Sequence, residues 1–248
     1  MSGAIAVRKC EGIAEFNRCV ALQKEIWAEE DIEIEPATLF VVAAETGGQV
    51  LGAFDGERMI GFTLAIVGFT NGLVFLHSHM TGVLAEYRDR GVGRALKLFQ
   101  REEALGRGIR LIVWTFDPLE TRNAHFNLNR LGAISRKYFT NLYGFTSSPL
   151  HRGLPTDRLW AEWMLDSARV VAAVSDLVKA PAVASVAATI ALPTELEQWK
   201  LSDAEQVAKE QARIREEFAG WFARGYAAIG TRKSAAGMEY LLAPWSDF

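Results

Sequence analysis

Glycine and arginine mark the first place where this sequence can do chemistry. Arg88-Asp89-Arg90-Gly91-Val92-Gly93-Arg94 reads as a glycine-rich turn that opens a helix. Such a turn presents backbone N–H groups with no intrahelical partner, and the positive end of the helix dipole adds to them. A phosphate or pyrophosphate suits that arrangement. Gly91 and Gly93 carry no Cβ, so a ligand can come close to the backbone. Charge agrees. From Arg88 to Arg110 there are seven basic and three acidic residues, a net of +4, in a chain whose formal net charge is −3. A lone GxG also opens ordinary surface helices, so the surroundings must decide. Leu96 breaks the GxGxxG dinucleotide fingerprint, and the GxxxxGK[ST] phosphate loop is absent.

His77 and His79 form the second group. Strand alternation puts both on one face. Either could accept a proton from a substrate, directly or through water. As an HxH pair they could also serve a metal-dependent hydrolase. No carboxylate or third histidine lies nearby in sequence, so no metal site is expected. The plainer alternative is a pair of polar residues lining a groove. His125 reads as capping or lining the site, and His151 as an ordinary loop histidine. Cys10 and Cys19 form no CxxC pair and are too few for a disulfide framework.

The elements that must hold these residues follow from apolar spacing and turn residues. Ile5–Arg8 reads as a strand and Gly12–Ala28 as an amphipathic helix. A helix starts at Glu35-Pro36, runs to about Glu45 and stops at Gly47-Gly48. Val50–Phe54 and Met59–Val67 flank Asp55-Gly56, a hairpin signal, and Asn71-Gly72 turns the chain into a third strand, Leu73–Leu84. The helix after the glycine turn spans about Gly91 to Leu105. Leu111–Phe116 is a continuous apolar run, as in a strand buried on both faces. Asn123–Arg130 reads as a short helix, and Ala133–Phe139 and Asp157–Leu165 as strands. Trp114, Trp160 and Trp163 fall where core or groove wall is expected. After Asp166 the composition turns rich in Ala and Val. Asp203–Arg224 reads as a helix, and Tyr226–Gly230 and Met238–Leu242 as a last strand pair.

Composition limits the functional classes. Half of the 248 residues are apolar and 23% are charged, as in a soluble globular protein. A net charge of −3 does not suit nucleic acid. Met1 to Gly12 lacks the apolar core of a signal peptide, and Ala180–Thr194 is too short and too broken by proline to span a bilayer. A cytoplasmic protein without a membrane or nucleic-acid partner is expected.

Arg88-Asp89-Arg90-Gly91-Val92-Gly93 resembles motif A, [QR]-x-x-G-x-[GA], of the GNAT acyltransferase superfamily. The element order over roughly Ala4–Asp166 is similar as well. The resemblance implies an α/β (α+β) fold with a central mixed, mostly antiparallel sheet flanked by helices. Residues 1–166 would form the acyl-CoA-binding domain and 167–248 a C-terminal α+β appendage. It implies acetyl-CoA or another acyl-CoA as cofactor and a small-molecule or other amine as acceptor. The Arg88–Arg94 backbone, Val92 included, would hold the pyrophosphate. Thr81 and Val83 would pair with the pantetheine arm, and Asn123 would lie near the cofactor.

Acyl transfer needs a neutral amine, stabilisation of the oxyanion and a proton for the leaving thiolate. The family commonly takes the last from a tyrosine, and Leu128 holds that position here. Tyr143 is the substitute acid candidate, with His79 and His77 as candidate bases. Because Leu128 replaces the usual acid, a non-catalytic acyl-CoA-binding or regulatory module on the same fold stays open beside the enzyme. The tail is expected to pack on the main domain, or on a second subunit in a homodimer, and to shape the acceptor site.

Overall fold

The computed structural model describes residues 4–28, 33–144, 153–175, 186–235 and 237–245. These fall into two compact units, one running to Val113 and the other beginning at Trp114.

The first unit carries β1 (Ala6–Lys9), α1 (Gly12–Trp27), α2 (Ala37–Glu45), β2 (Gln49–Asp55), β3 (Arg58–Thr70), β4 (Leu73–Val83), α3 (Val92–Gly106) and the start of β5 (Leu111–Phe116). Its strand order is β1-β2-β3-β4-β5. The pairings from β1 to β4 are antiparallel, and β4 meets β5 in parallel. Both expected turns are present. Asn71 (φ 48°) and Gly72 (φ 78°) take the left-handed conformation that a tight hairpin requires.

Apolar residues of this sheet, Leu51, Ile60, Phe62 and Leu64, pack with Leu22, Phe40 and Leu96 from the helices, all of them fully buried. Burying such side chains stabilises the fold by roughly 1.5–3 kcal/mol each. Gly82 sets how closely α1 can lie. A Cβ there would stand 2.9 Å from both Ile26 Cδ1 and Trp27 Cζ2. Its absence lets the end of α1 rest directly on β4.

The second unit continues from the end of β5 with α4 (Thr121–His125), β6 (Ile134–Phe139), β7 (Arg158–Met164), α5 (Ala168–Val174), β8 (Ala188–Pro193), α6 (Leu196–Ser202), α7 (Ala204–Phe222), β9 (Tyr226–Ser234) and β10 (Gly237–Pro244). Beyond β5 the strands run β7-β6-β9-β10-β8. The pairings β6–β7, β6–β9, β9–β10 and β10–β8 are antiparallel. Trp163, Phe218 and Tyr240 are buried large side chains here. Trp114 packs edge-on against Trp163 at 5.8 Å, as expected of core tryptophans.

The mixed, mostly antiparallel α+β class read from the sequence is the class observed. Three details differ. The short helix expected over Asn123–Arg130 is a helix only to His125. Phe126–Arg130 is a wider π turn, in which Leu131 N–H donates to the Phe126 carbonyl at 3.0 Å. Helix α6 was not expected. The two units also meet in sequence inside β5, not at the compositional change after Asp166. Strand β9 is laddered to β6 through Ser135↔Ala228, so the tail shares a unit with the strands before it.

Candidate functional site

The glycine turn enters α3 as expected. Gly91, with φ 80°, is the residue before the helix, and Asp89, with φ 60°, bends the chain ahead of it. No side chain caps α3, and its first turn holds no acid. The helix therefore presents its positive end without an anion of its own there. A Cβ built on Gly91 meets nothing within 4 Å, and one on Gly93 meets only Val83 Cγ2, at 4.0 Å. Space lies over both glycines, and nothing at these two positions obstructs a pyrophosphate.

Not every arginine of the loop points outward to meet it. The Arg88 guanidinium donates to the carbonyls of Val83 (3.3 Å) and Ile26 (3.2 Å), fastening the loop to β4 and α1. Arg90 lies over the Tyr87 ring at 5.2 Å, and Tyr87 donates to Asp55 at 2.8 Å.

Lys97 departs further from the sequence reading, where it counted among the seven basic residues between Arg88 and Arg110. It is buried, and its ammonium donates to Ser78 Oγ at 2.7 Å and Gln100 Oε1 at 3.0 Å. Burial pushes its pKa down to about 7. Its ammonium is thus turned inward to Ser78 and Gln100.

Strand β4 supplies the next part of the site. It is laddered to β5 at Leu76↔Ile112 and His77↔Val113. Its later residues are laddered to β3, Thr81 opposite Thr63 and Val83 opposite Gly61. The Thr81 and Thr63 hydroxyls are 3.1 Å apart. On the β3 side Leu64 pairs with Met80 and Ala65 with Ser78, so His79 is the extra residue of a β-bulge. A bulge re-aims the side chain it carries. The His77 and His79 rings lie 6.0 Å apart.

The two histidines sit in different electrostatic surroundings. Burial pushes His77 down to about 4, helped by His79 and by Lys97. It is neutral at pH 7 and a weak base. His79 is partly exposed, and its Nε2 is 2.9 Å from Glu35 Oε1. The sequence showed no carboxylate near the histidines, because Glu35 lies on the segment leading into α2, 44 residues earlier. Among the described residues, no group of three or more His, Cys, Asp or Glu side chains is placed to hold a metal ion.

The remaining expected site residues lie in the second unit. Asn123 is exposed on α4 and accepts from Asn127 at 3.2 Å. Tyr143 is 48% exposed, and its hydroxyl is 2.9 Å from Thr115 Oγ1. Arg158 stands over its ring at 5.5 Å. Leu128, at the position where an acid was sought, is fully buried in the π turn. His125 bonds through Nδ1 to Thr231 Oγ1 at 3.2 Å. His151 lies outside the described residues.

No family model matches this chain, and no curated protein matches it. Solved structures do. A protein from Desulfovibrio desulfuricans assigned as an acetyltransferase of the GNAT family is similar at 15% identity and TM-score 0.53, over 65% of this chain and 99% of that one. The ribosomal-protein-S18-alanine N-acetyltransferase of Escherichia coli is similar at 15% identity and TM-score 0.52, over 66% and 96%. Arabidopsis thaliana NAA60, solved in complex with acetyl-CoA, is similar at 14% identity and TM-score 0.52, over 65% and 99%. Nearly the whole of each of these proteins is matched, and about a third of this chain lies beyond the match. The chain has the GNAT fold.

Proposed function

We propose that this protein is an acyl-CoA-dependent N-acyltransferase that uses acetyl-CoA or a close relative and passes its acyl group to an amine. One observation carries the reading: the uncapped N-terminus of α3, with open space over Gly91 and Gly93. The fold, shared with acetyltransferases, supports it.

The backbone N–H groups from Gly91 to Arg94 would hold the pyrophosphate, and the β4 edge at Thr81–Val83 would hold the pantetheine arm. Asn123 is a further cofactor contact carried over from the resemblance. The bound thioester supplies an activated acyl carbon. His79 removes the proton from the acceptor amine, since burial leaves His77 a weak base. Tyr143, with its hydroxyl on Thr115, is the proton donor we assign to the departing thiolate, because a fully buried Leu128 offers none.

Titration calorimetry with acetyl-CoA tests the reading. Wild-type protein is expected to bind, and Gly93→Val to bind at least about 100-fold more weakly, since its side chain fills the pyrophosphate's space. Valine is no worse than glycine inside a helix, so the melting temperature should hold. Wild-type protein that binds no acetyl-CoA would sink the proposal. The buried Leu128 keeps one second reading in play, a module that binds acyl-CoA without turnover. Binding with no acylation across a broad amine panel would select it.

A further inference from the structure

Glu35 reaches the histidines from another element, and its backbone is held from several sides. Gln23 on α1 is fully buried. Its amide nitrogen donates to the Glu35 carbonyl at 3.0 Å, and its amide oxygen accepts from the Glu35 N–H at 2.8 Å. A primary amide offers this donor and acceptor side by side, so Gln23 grips Glu35 as a neighbouring strand would. Pro36 follows, and a residue before proline is held to extended backbone. Upstream, the missing Cβ of Gly82 lets the end of α1 rest on β4, the strand that carries His79. One face of α1 thus fixes both Glu35 and its distance from the bulge.

We propose that Gln23, Glu35 and His79 form a positioning chain, in which Glu35 fixes the tautomer and orientation of His79 as the base for the acceptor amine. The idea rests on the acyltransferase reading above. An ionised carboxylate can only accept, so the proton between the two groups sits on His79 Nε2 and the imidazole lone pair on Nδ1. An acceptor arriving as an ammonium gives one proton to that lone pair. The neutral amine then forms a bond to the acyl carbon, and the carbon–sulfur bond breaks with its electron pair leaving on sulfur. The thiolate takes a proton from Tyr143, the second amine proton makes good that loss, and His79 returns its proton to water. His79 is the catalytic residue; Glu35 and Gln23 are positioning residues. Among the described residues, the titratable groups beside His79 are Glu35 from the α2 approach and His77 from β4, with Lys97 of α3 acting on His77.

Three measurements test the chain. In protein labelled with 15N-histidine, the long-range proton–nitrogen spectrum should show His79 as the Nε2–H tautomer with a hydrogen-bonded proton. Glu35→Ala should lose that proton signal, and Glu35→Gln, which keeps an acceptor oxygen, should restore it. An unchanged spectrum in Glu35→Ala overturns the proposal, with no dependence on turnover.

Calorimetry should give the same acetyl-CoA affinity for wild type and Glu35→Ala. No binding by the wild type strikes the acyltransferase reading, whereas a failed histidine spectrum strikes only this chain. Lastly, turnover of primary alkylamines should fall about 30-fold or more in Glu35→Ala. Hydroxylamine, unprotonated at neutral pH, should lose less than about threefold. Equal losses for both nucleophiles would show Glu35 to be merely structural.

Discussion

The two histidines that a two-residue spacing makes look equivalent are separated by their neighbours. His77 is pushed down to about 4 by burial, while His79 faces a carboxylate. His79→Ala is therefore expected to lower kcat by roughly 10²–10³, within the usual range for a lost general base. His77→Ala should cost no more than about tenfold, and steady-state kinetics on one amine will compare them.

Lys97 yields a second expectation, on stability. Its folded-state pKa of about 7 lies below the ordinary 10.5. Between those values the unfolded chain holds a proton that the folded chain does not, so unfolding free energy rises with pH across that window. Below about pH 7 both states are charged and the burial cost is felt in full. Lys97→Met should remove this slope, worth a few kcal/mol, in urea titrations from pH 7 to 10.

The residue types of the site were legible in sequence, since GxG and HxH announce themselves. Their partners were not. Glu35 looked like part of a helix start, and Lys97 like one more basic residue. Only the approach of α1, α2 and α3 to β4 gives them their roles.

Elements with strong local signals formed where the sequence put them. Asp55-Gly56 and Asn71-Gly72 determine the β2–β3–β4 meander, and α3 starts within one residue of its expected position. The stretch after α4 is harder to read, because a π turn costs only one extra residue and leaves the apolar pattern nearly intact. Its carbonyls must still be satisfied, and Arg169 of α5 does this. Its guanidinium donates to the Gly132 and Leu128 carbonyls at 3.0 Å each, and to that of Ile229 on β9. Arg169→Met would leave three carbonyls short of a donor. It should destabilise the protein by about 3 kcal/mol in denaturant titration, with acetyl-CoA affinity little changed if the protein folds. An unchanged midpoint would show that the turn stands without α5.

At the scale of the whole chain, the change in composition after Asp166 falls inside the second compact unit. Ile134 of β6 is buried against Ala227, Ile229, Leu241 and Ala243 from β9 and β10. Tyr240 of β10 donates to the Pro118 carbonyl at 2.7 Å, and Lys200 of α6 to that of Leu119 at 2.9 Å. Composition reports what residues are made of, and ladder partners report what they need. Truncation after Asp166 is therefore expected to give insoluble or unfolded second-unit sequence, read by recovery in the soluble fraction and by circular dichroism. A soluble, fully active truncated protein would contradict both this packing and the idea that the tail shapes the acceptor site.

The ladder between β6 and β9 also sets an order in time. A ribosome finishes the residues up to Val113 before it makes the second unit, and the first unit holds its own helices, meander and glycine turn. Domains made first generally fold first. The second unit must wait, because β9 and β10, which complete its sheet beside β6, are made only after α7. Strand β6 pairs with β7, and its other edge stays unpaired until β9 emerges. Ribosome-stalled chains ending near Phe222 should accordingly show a protease-resistant first unit and a still-cleavable β6–β7 hairpin.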